Sequence, residues 1–567
     1  MPRIYFVGVD VGTGSVRAAL VTSQGQVIKQ HAKSIKTWNP EANYYEQSSE
    51  DIWNAVCECV RNVVQEIEPE EVAGISFDAT CSLVVLSDDG KPLTVSKTGQ
   101  NNQNVILWMD HRASKEAEII NETKHELLNY VGGKVSLEMQ MPKLLWLKRN
   151  LQLSCWQKIW KVFDLPDFLT WKSTGDDSRS LCSVVCKWNF DATTHSWSKE
   201  FLDCINLAEL YSNNFYKIGN NIISPGLAVG NGLSEEAARN MNLIPNTTVG
   251  ASLIDAHAGA LGMFGCQINK SINLENKIGR YPHTHLKKKE QKTKKNVSIF
   301  LALICGTSTC HMSLTEFPCW VKGVWGPYKD VIFPNFYLNE GGQSAAGALL
   351  DHIVFNHPQY KFIVSKLDEN ENIYNYLNNV LQKLAEQNGF DDVCYLTKDL
   401  HIWPDFHGNR SPIGDSDLKG MISGLIMKTN EENLAILYLA VIQALSYGTR
   451  HIIESLVGQD HPKFEALLFC GGLAKNILYV ETHASVCDIP SVIPAEQEMV
   501  LVGCAMLAAS AARVYPSLQE TSMAMGGSGK IYEPKKTAIK YHNEKYKIFL
   551  KMLEHQLLYK HIMKNAF

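Results

Sequence analysis

The sequence predicts an α/β protein built from two similar halves. Three observations carry this. Apolar β-rich runs alternate with segments whose apolar residues recur at helical spacing. A Gly-rich hairpin occurs twice, first as Gly8-Val9-Asp10-Val11-Gly12-Thr13-Gly14-Ser15 and again as Ile304-Cys305-Gly306-Thr307-Ser308-Thr309. At 567 residues the chain is also longer than one hydrophobic core usually organises.

Taken in order, Ile4 to Val9 reads as a strand, Gly12 to Ser15 as a tight turn and Val16 to Thr22 as a returning strand, with a third at Val27-Ile28. Gly12-x-Gly14 begins a dinucleotide fingerprint. Arg17 stands at its third glycine position and the next segment is β-rich, which argues against that motif. Ser48 with Asp51 three residues on opens a helix with Ile52, Val56, Cys59, Val60 and Val63 on one face. Val72 to Phe77 is a strand that delivers Asp78-Ala79-Thr80-Cys81-Ser82 to its end. Gly250 to Ile254 delivers Asp255 to the start of a small-residue helix. In the second half a hairpin surrounds Gly306-Thr307 and a long helix spans about Glu431 to Leu456. The strand Leu467 to Cys470 ends at Gly471-Gly472-Leu473, and an Ala-rich helix runs from about Gln497 to Val514. Lys545 to Asn565 is a packed terminal helix. Between the halves, Cys266 to Ser298 includes six lysines between Lys287 and Lys295, too much charge for a core. The expected division is 1–265, a basic exposed insertion at 266–298, 299–515, and a helical extension at 516–567.

Composition narrows the function. A net charge of −5 argues against a nucleic-acid binder. The start runs into a strand without a signal-peptide pattern, and no apolar run reaches the ~18–20 residues that span a bilayer. Fifteen cysteines scattered in apolar segments read as buried thiols of a reducing compartment. Cys182-x-x-x-Cys186 lacks a second pair at zinc-finger spacing, so no structural metal is expected from it. The expected location is cytoplasmic, without a membrane or nucleic-acid partner.

The glycines of both hairpins admit close approach of an anion, and Thr13 and Thr307 with nearby N–H groups can hold phosphate oxygens. Either hairpin alone reads equally as an ordinary β-turn. Together they suggest two halves closing over a nucleotide. Asp10 beside bound triphosphate makes sense with a Mg²⁺ between them. Asp255 reads either as a helix N-cap or as a general base for an attacking hydroxyl. Gly471-Gly472 can admit a base or ribose beside the backbone. Sugar hydroxyls both donate and accept, so Asp78, Thr80, Ser82, Trp108-Met109-Asp110-His111-Arg112, Cys186-Lys187-Trp188-Asn189 and Asn339-Glu340-Gly341-Gly342-Gln343-Ser344 are candidate polyol ligands. Arg410, in Trp403 to Pro412, is a candidate anion partner.

The ensemble resembles the FGGY carbohydrate kinases of the actin-like ATPase superfamily over nearly the whole chain. Gly8 to Arg17 and Cys305 to Cys310 look like the family's two phosphate motifs. Phe469 to Asn476 looks like its adenosine motif, and Met141-Pro142-Lys143-Leu144-Leu145-Trp146-Leu147 like its Lys-x-x-Trp signature. Gly306 to His311, Trp108 to Arg112 and Glu340 to Ser344 are most similar to the ribulokinase branch. The resemblance implies two actin-like (ribonuclease H-like) domains around a central cleft, ATP and Mg²⁺ as cofactors, and phosphorylation of a ketopentose, foremost D-ribulose to D-ribulose 5-phosphate. Asp255 would be the base and Asp10 the metal ligand. Gly12, Thr13, Gly14, Ser15, Gly306, Thr307, Ser308, Gly471, Gly472 and Asn476 would face ATP. Asp78, Thr80, Ser82, Lys187, Asp255 and Glu340 would face the sugar. L-Ribulose, xylulose or a pentitol remain alternatives, as does a non-catalytic nucleotide-dependent binding protein, and a homodimer is left open. In relatives the path from the Asp255 helix to the second hairpin is short, whereas residues 266–298 are long and basic here.

Overall fold

The computed structural model describes residues 4–268, 299–368 and 371–566. The basic run Lys287 to Lys295, singled out in the sequence, lies outside these.

The first sheet has five strands in the order Thr248–Ile254, Val72–Ala79, Tyr5–Val11, Ser15–Thr22, Val27–Ser34. The first three are parallel and the last two turn back antiparallel. The second sheet has seven strands, in the order Trp325–Lys329, Tyr337–Gln343, Thr309–Thr315, Phe300–Cys305, Ala466–Cys470, Ser491–Pro494, Gly529–Tyr532. Without its two edge strands it repeats the order of the first sheet. The duplication seen in the hairpins is therefore a duplication of whole sheets, and the α/β expectation holds.

The helices form where the sequence placed them. Ser48 accepts from the Asp51 N–H at 3.2 Å and opens the helix Ser49–Val64, whose Ile52, Val56, Cys59, Val60 and Val63 are all buried. The long helix runs Glu431–Val457 and the Ala-rich helix Met499–Ala511. The last helix begins earlier than read, at Lys536, and ends at Lys564. The stretch read as a helical extension also contributes an edge strand, Gly529–Tyr532, to the second sheet.

One packing feature positions the site. Met499–Ala511, late in the chain, lies against the three parallel strands of the first sheet and against the helix Asp255–Phe264. Small residues permit this: a Cβ on Gly503 would stand 1.9 Å from the Ala258 carbonyl oxygen. The two helices thus touch backbone to backbone and tie the second half to the floor of the first. The strand Phe300–Cys305, which follows the basic stretch, is fully formed and paired on both sides. Among the described residues no helix is long and apolar enough to cross a membrane. Among the described residues no cysteine is paired, and Cys204 is exposed.

Candidate functional site

The site starts at the carboxyl ends of three neighbouring parallel strands. Tyr5–Val11 brings Asp10, Val72–Ala79 brings Asp78, and Thr248–Ile254 runs directly into Asp255. Strand register places Asp10 opposite Asp78, and Leu253 opposite Asp78 on the other side. Three carboxyls therefore gather at one end of the sheet, where α/β folds bind ligands.

Their environments differ. Asp10 is gripped by the Arg17 guanidinium, whose Nε donates to Oδ2 at 2.9 Å and whose other arm reaches Glu498 at 2.8 Å. Asp78 is completely buried; burial first, and then Asp10 and Asp255, push its carboxyl well above the usual range. Asp255 is only partly covered, and its Oδ1 accepts from the Ala256 N–H at 2.7 Å. Burial and the nearby Asp10 charge push its carboxyl up to about 7, against smaller opposing effects of that N–H, Lys187 and Arg17. The helix N-cap position is Ile254, so Asp255 is the first helical residue and not the cap. The strand passes into the helix without an intervening loop, which turns the carboxylate toward the sheet end.

The two hairpins face a common cleft. The first closes with Gly12 N–H donating to Ser15 at 3.0 Å, and the second, one residue shorter, with Gly306 N–H donating to Ser308 at 2.8 Å. Thr13 and Thr307 both line a cavity of about 770 Å³ between the halves. Gly14 and Ser15 complete the first turn beside Thr13. Trp108 Nε1 donates to Thr13 Oγ1 at 3.1 Å, and Gln47 donates to the Thr13 carbonyl at 2.7 Å, so the first tip is held from two sides. The first amides of the helix Gly347–Phe355 donate to the Gly306 and Thr307 carbonyls, which holds the second. The position matching Asp10 in the second hairpin is Ile304, opposite Cys310, so only the first half supplies a carboxylate here.

Between the two halves, Lys187 Nζ stands 3.5 Å from Glu340 Oε1, with both side chains buried. Burial pulls the Lys187 ammonium down, but Glu340 and further acidic neighbours outweigh it and hold it above its ordinary range. The ammonium also lies 4.2 Å from the centroid of the Trp325 ring. Arg410 pairs with Glu138 at 2.6 Å, joining the second half to the first along the cavity wall.

Some predicted ligands are engaged within the protein. Thr80 and Ser82 hydroxyls lie 3.0 Å apart, and Ser82 Oγ accepts from the Trp108 N–H at 3.3 Å. They set the position of Trp108. Asp110, Arg112 and Glu46 form a fully buried ion network under Tyr44 and Trp146. Asn476 accepts from Asn378 and donates to the Tyr438 hydroxyl. Gly471 lines a second cleft of about 550 Å³ with Phe469, Pro494 and Lys530, whereas Gly472 is exposed beside it. A side chain at Gly471 would meet the Cys305 carbonyl oxygen at 2.5 Å, and φ is +90° there, so glycine alone suits the position.

Sequence reasoning missed Arg17 as the partner of Asp10, and missed His257 and Glu498. The first was within reach: a turn at Gly12 to Ser15 puts Asp10 directly across from Arg17. His257 and Glu498 depend on long-range packing that no local pattern reports.

The family models for the N-terminal and C-terminal domains of FGGY carbohydrate kinases match residues 5–262 and 301–512. The chain is 47% identical over 565 residues to the FGGY carbohydrate kinase domain-containing protein of Homo sapiens, covering 100% of this chain and 98% of that protein. It is 40% identical over 537 residues to a D-ribulokinase of Saccharomyces cerevisiae, covering 91% of this chain and 73% of that one. Among solved structures, a gluconate kinase from Lactobacillus acidophilus superposes with a TM-score of 0.75 at 18% identity, covering 98% of each chain. A xylulose kinase from the same organism gives 0.74 at 18% identity, covering 97% of this chain and 98% of that one. These two share the two-domain actin-like fold expected from the sequence. With both domain models matched in order and relatives aligned end to end, the chain belongs to the FGGY family and is a carbohydrate kinase.

Proposed function

We propose that the protein transfers the γ-phosphoryl group of ATP to the terminal hydroxyl of a ketopentose, D-ribulose foremost, with Asp255 as general base. The observation that carries the reading is the setting of Asp255. It sits at the carboxyl end of its strand, close enough to Asp10 and Lys187 to feel both charges, with a carboxyl at about 7. A base poised near neutrality takes a hydroxyl proton and is regenerated in each cycle. D-Ribulose is favoured by the likeness to a protein named D-ribulokinase, at 40% identity over 537 residues.

In this reading Lys187 and Glu340 orient the sugar hydroxyls as one donor and one acceptor. Asp255 takes the proton as the hydroxyl oxygen bonds to the γ-phosphorus, and the bond to the bridging oxygen breaks to release ADP. Thr13 and Thr307 flank the transferring group from opposite halves. Gly471 and the 550 Å³ cleft beside it suit the base and ribose of the nucleotide. The pairing of the Asp78 and Asp10 carboxyls across neighbouring strands suits a hard divalent cation, which takes carboxylate and water oxygens. Asp10 would hold Mg²⁺ there, and the ion would offset charge on the phosphates. Closure of the halves keeps water from competing as acceptor.

The test is product identification. Incubation with MgATP and D-ribulose should give a phosphate monoester at the terminal carbon, seen by phosphorus NMR. ADP appearing without that ester would refute the reading.

A further inference from the structure

Behind the Lys187–Glu340 pair lies a second cluster that the phosphoryl-transfer reading does not use. Cys182 and Cys186 are one turn apart on the helix Leu181–Lys187, so their sulfurs project from the same face. His257, on the helix Asp255–Phe264, faces them. One ligating atom from each of Cys182, Cys186 and His257 lies within 4.8 Å of the others, and all three residues are buried. Cys186 Sγ to His257 Nε2 is 3.5 Å. Donor atoms of a tetrahedral site stand roughly 3.3–3.8 Å apart, given metal–ligand bonds of about 2.0–2.3 Å.

A fourth donor stands next to His257, outside the group of three. Glu340 Oε2 lies 3.7 Å from His257 Nε2, is buried, and has no hydrogen-bond partner. An unpaired carboxylate oxygen in such a place is costly unless something occupies its lone pairs.

We propose that Cys182, Cys186, His257 and Glu340 form a binding site for a thiophilic divalent cation such as Zn²⁺, built across the seam between the two halves. The two-sulfur, one-nitrogen, one-oxygen set is soft enough to select Zn²⁺ over Mg²⁺. Three donors come from the first half and one from the second, so a bound ion clamps the halves together, and opening of the halves provides its entry path. Charge balances: two thiols release their protons to solvent as one dication enters, the Glu340 carboxylate stays ionised and the Lys187 ammonium keeps its proton. Occupancy draws Glu340 toward the metal and away from Lys187. The ion therefore inhibits the kinase, a consequence that rests on the sugar-binding role given to that pair. Metal binding itself does not depend on that role.

The full-length protein, cleared of metal with a chelator, is titrated with Co²⁺ while the near-ultraviolet sulfur-to-cobalt absorption is followed. The wild type should saturate at one equivalent. Cys182→Ser and Cys182→Ala should each weaken binding about 100-fold or more, since even an outer-shell partner is worth 10–100-fold. Both variants should keep the metal-free D-ribulose turnover of the wild type. Zn²⁺ should inhibit the wild type at concentrations that spare the variants. Absence of a thiolate–cobalt band in the wild type, or its persistence in both variants, overturns the site. Equal Zn²⁺ inhibition of wild type and variants overturns the inhibitory role.

Discussion

Replacing Asp255 by Asn separates the catalytic and energetic roles of one carboxylate. The amide is isosteric and its Oδ1 can still accept from the Ala256 N–H, so the helix start is kept. The variant has no base, and turnover should fall by about 10²–10⁴-fold, the usual worth of a positioned general base. Stability should move the other way. The Asp255 carboxyl is raised from 3.8 to about 7, so between those values the folded protein holds a proton that the unfolded chain has lost. Stability contributed by that proton is therefore present in acid and is lost as pH rises toward 7. The full difference is ~4 kcal/mol at ~1.4 kcal/mol per pH unit, and solvent at the open side of the carboxyl reduces this to about 2 kcal/mol. Asn carries no such penalty. Thermal unfolding of the two proteins should coincide near pH 4, and the variant should melt higher at pH 8. The assay pairs melting temperature across pH with turnover of D-ribulose. Turnover near wild type in Asp255→Asn would refute the base assignment. A melting difference that ignores pH would refute the electrostatic account.

Other outcomes follow from neighbouring contacts. In the wild type, kcat/KM for the sugar should rise through a limb near pH 7 as Asp255 ionises, and a profile flat from pH 5 to 8 would count against it. Lys187→Met should cost about 3–5 kcal/mol by leaving Glu340 buried and unpaired, with Lys187→Met/Glu340→Gln regaining much of that loss in chemical denaturation. Trp108→Phe removes the donor to Thr13, and KM for MgATP should rise about 3–10-fold, in line with ~1 kcal/mol for one hydrogen bond, while kcat changes less. Gly503→Ala should destabilise by about 3 kcal/mol or more, because its Cβ would stand 1.9 Å from the Ala258 carbonyl oxygen; an unchanged melting temperature would show that the two helices pack less closely than described.

Much of the fold was legible because its signals are local. Alternation of apolar runs gave the strands, Ser48 marked a helix start, and the repeated glycine hairpin pointed to duplication, which the matching strand order of the two sheets bears out. The short edge strand Gly529–Tyr532 was missed because four residues carry no periodicity of their own. The site was legible by residue type and less so by role. A hydroxyl that will bind sugar and one that will hold a backbone amide look alike in sequence; here Ser82 accepts from the Trp108 N–H with the Thr80 hydroxyl beside it. Asn476 likewise spends its amide on Tyr438 and Asn378, which lie 38 and 98 positions away. Cys182 and Cys186 lacked a visible second pair because His257, whose ring lies within 4.8 Å of both sulfurs, arrives from a different helix.

The central claim is that this chain phosphorylates a ketopentose. The most direct measurement is coupled ADP release with MgATP against D-ribulose, L-ribulose, xylulose and a set of pentitols. The account predicts turnover that requires sugar and is fastest with D-ribulose. ADP release that is absent, or indifferent to every sugar offered, would contradict it.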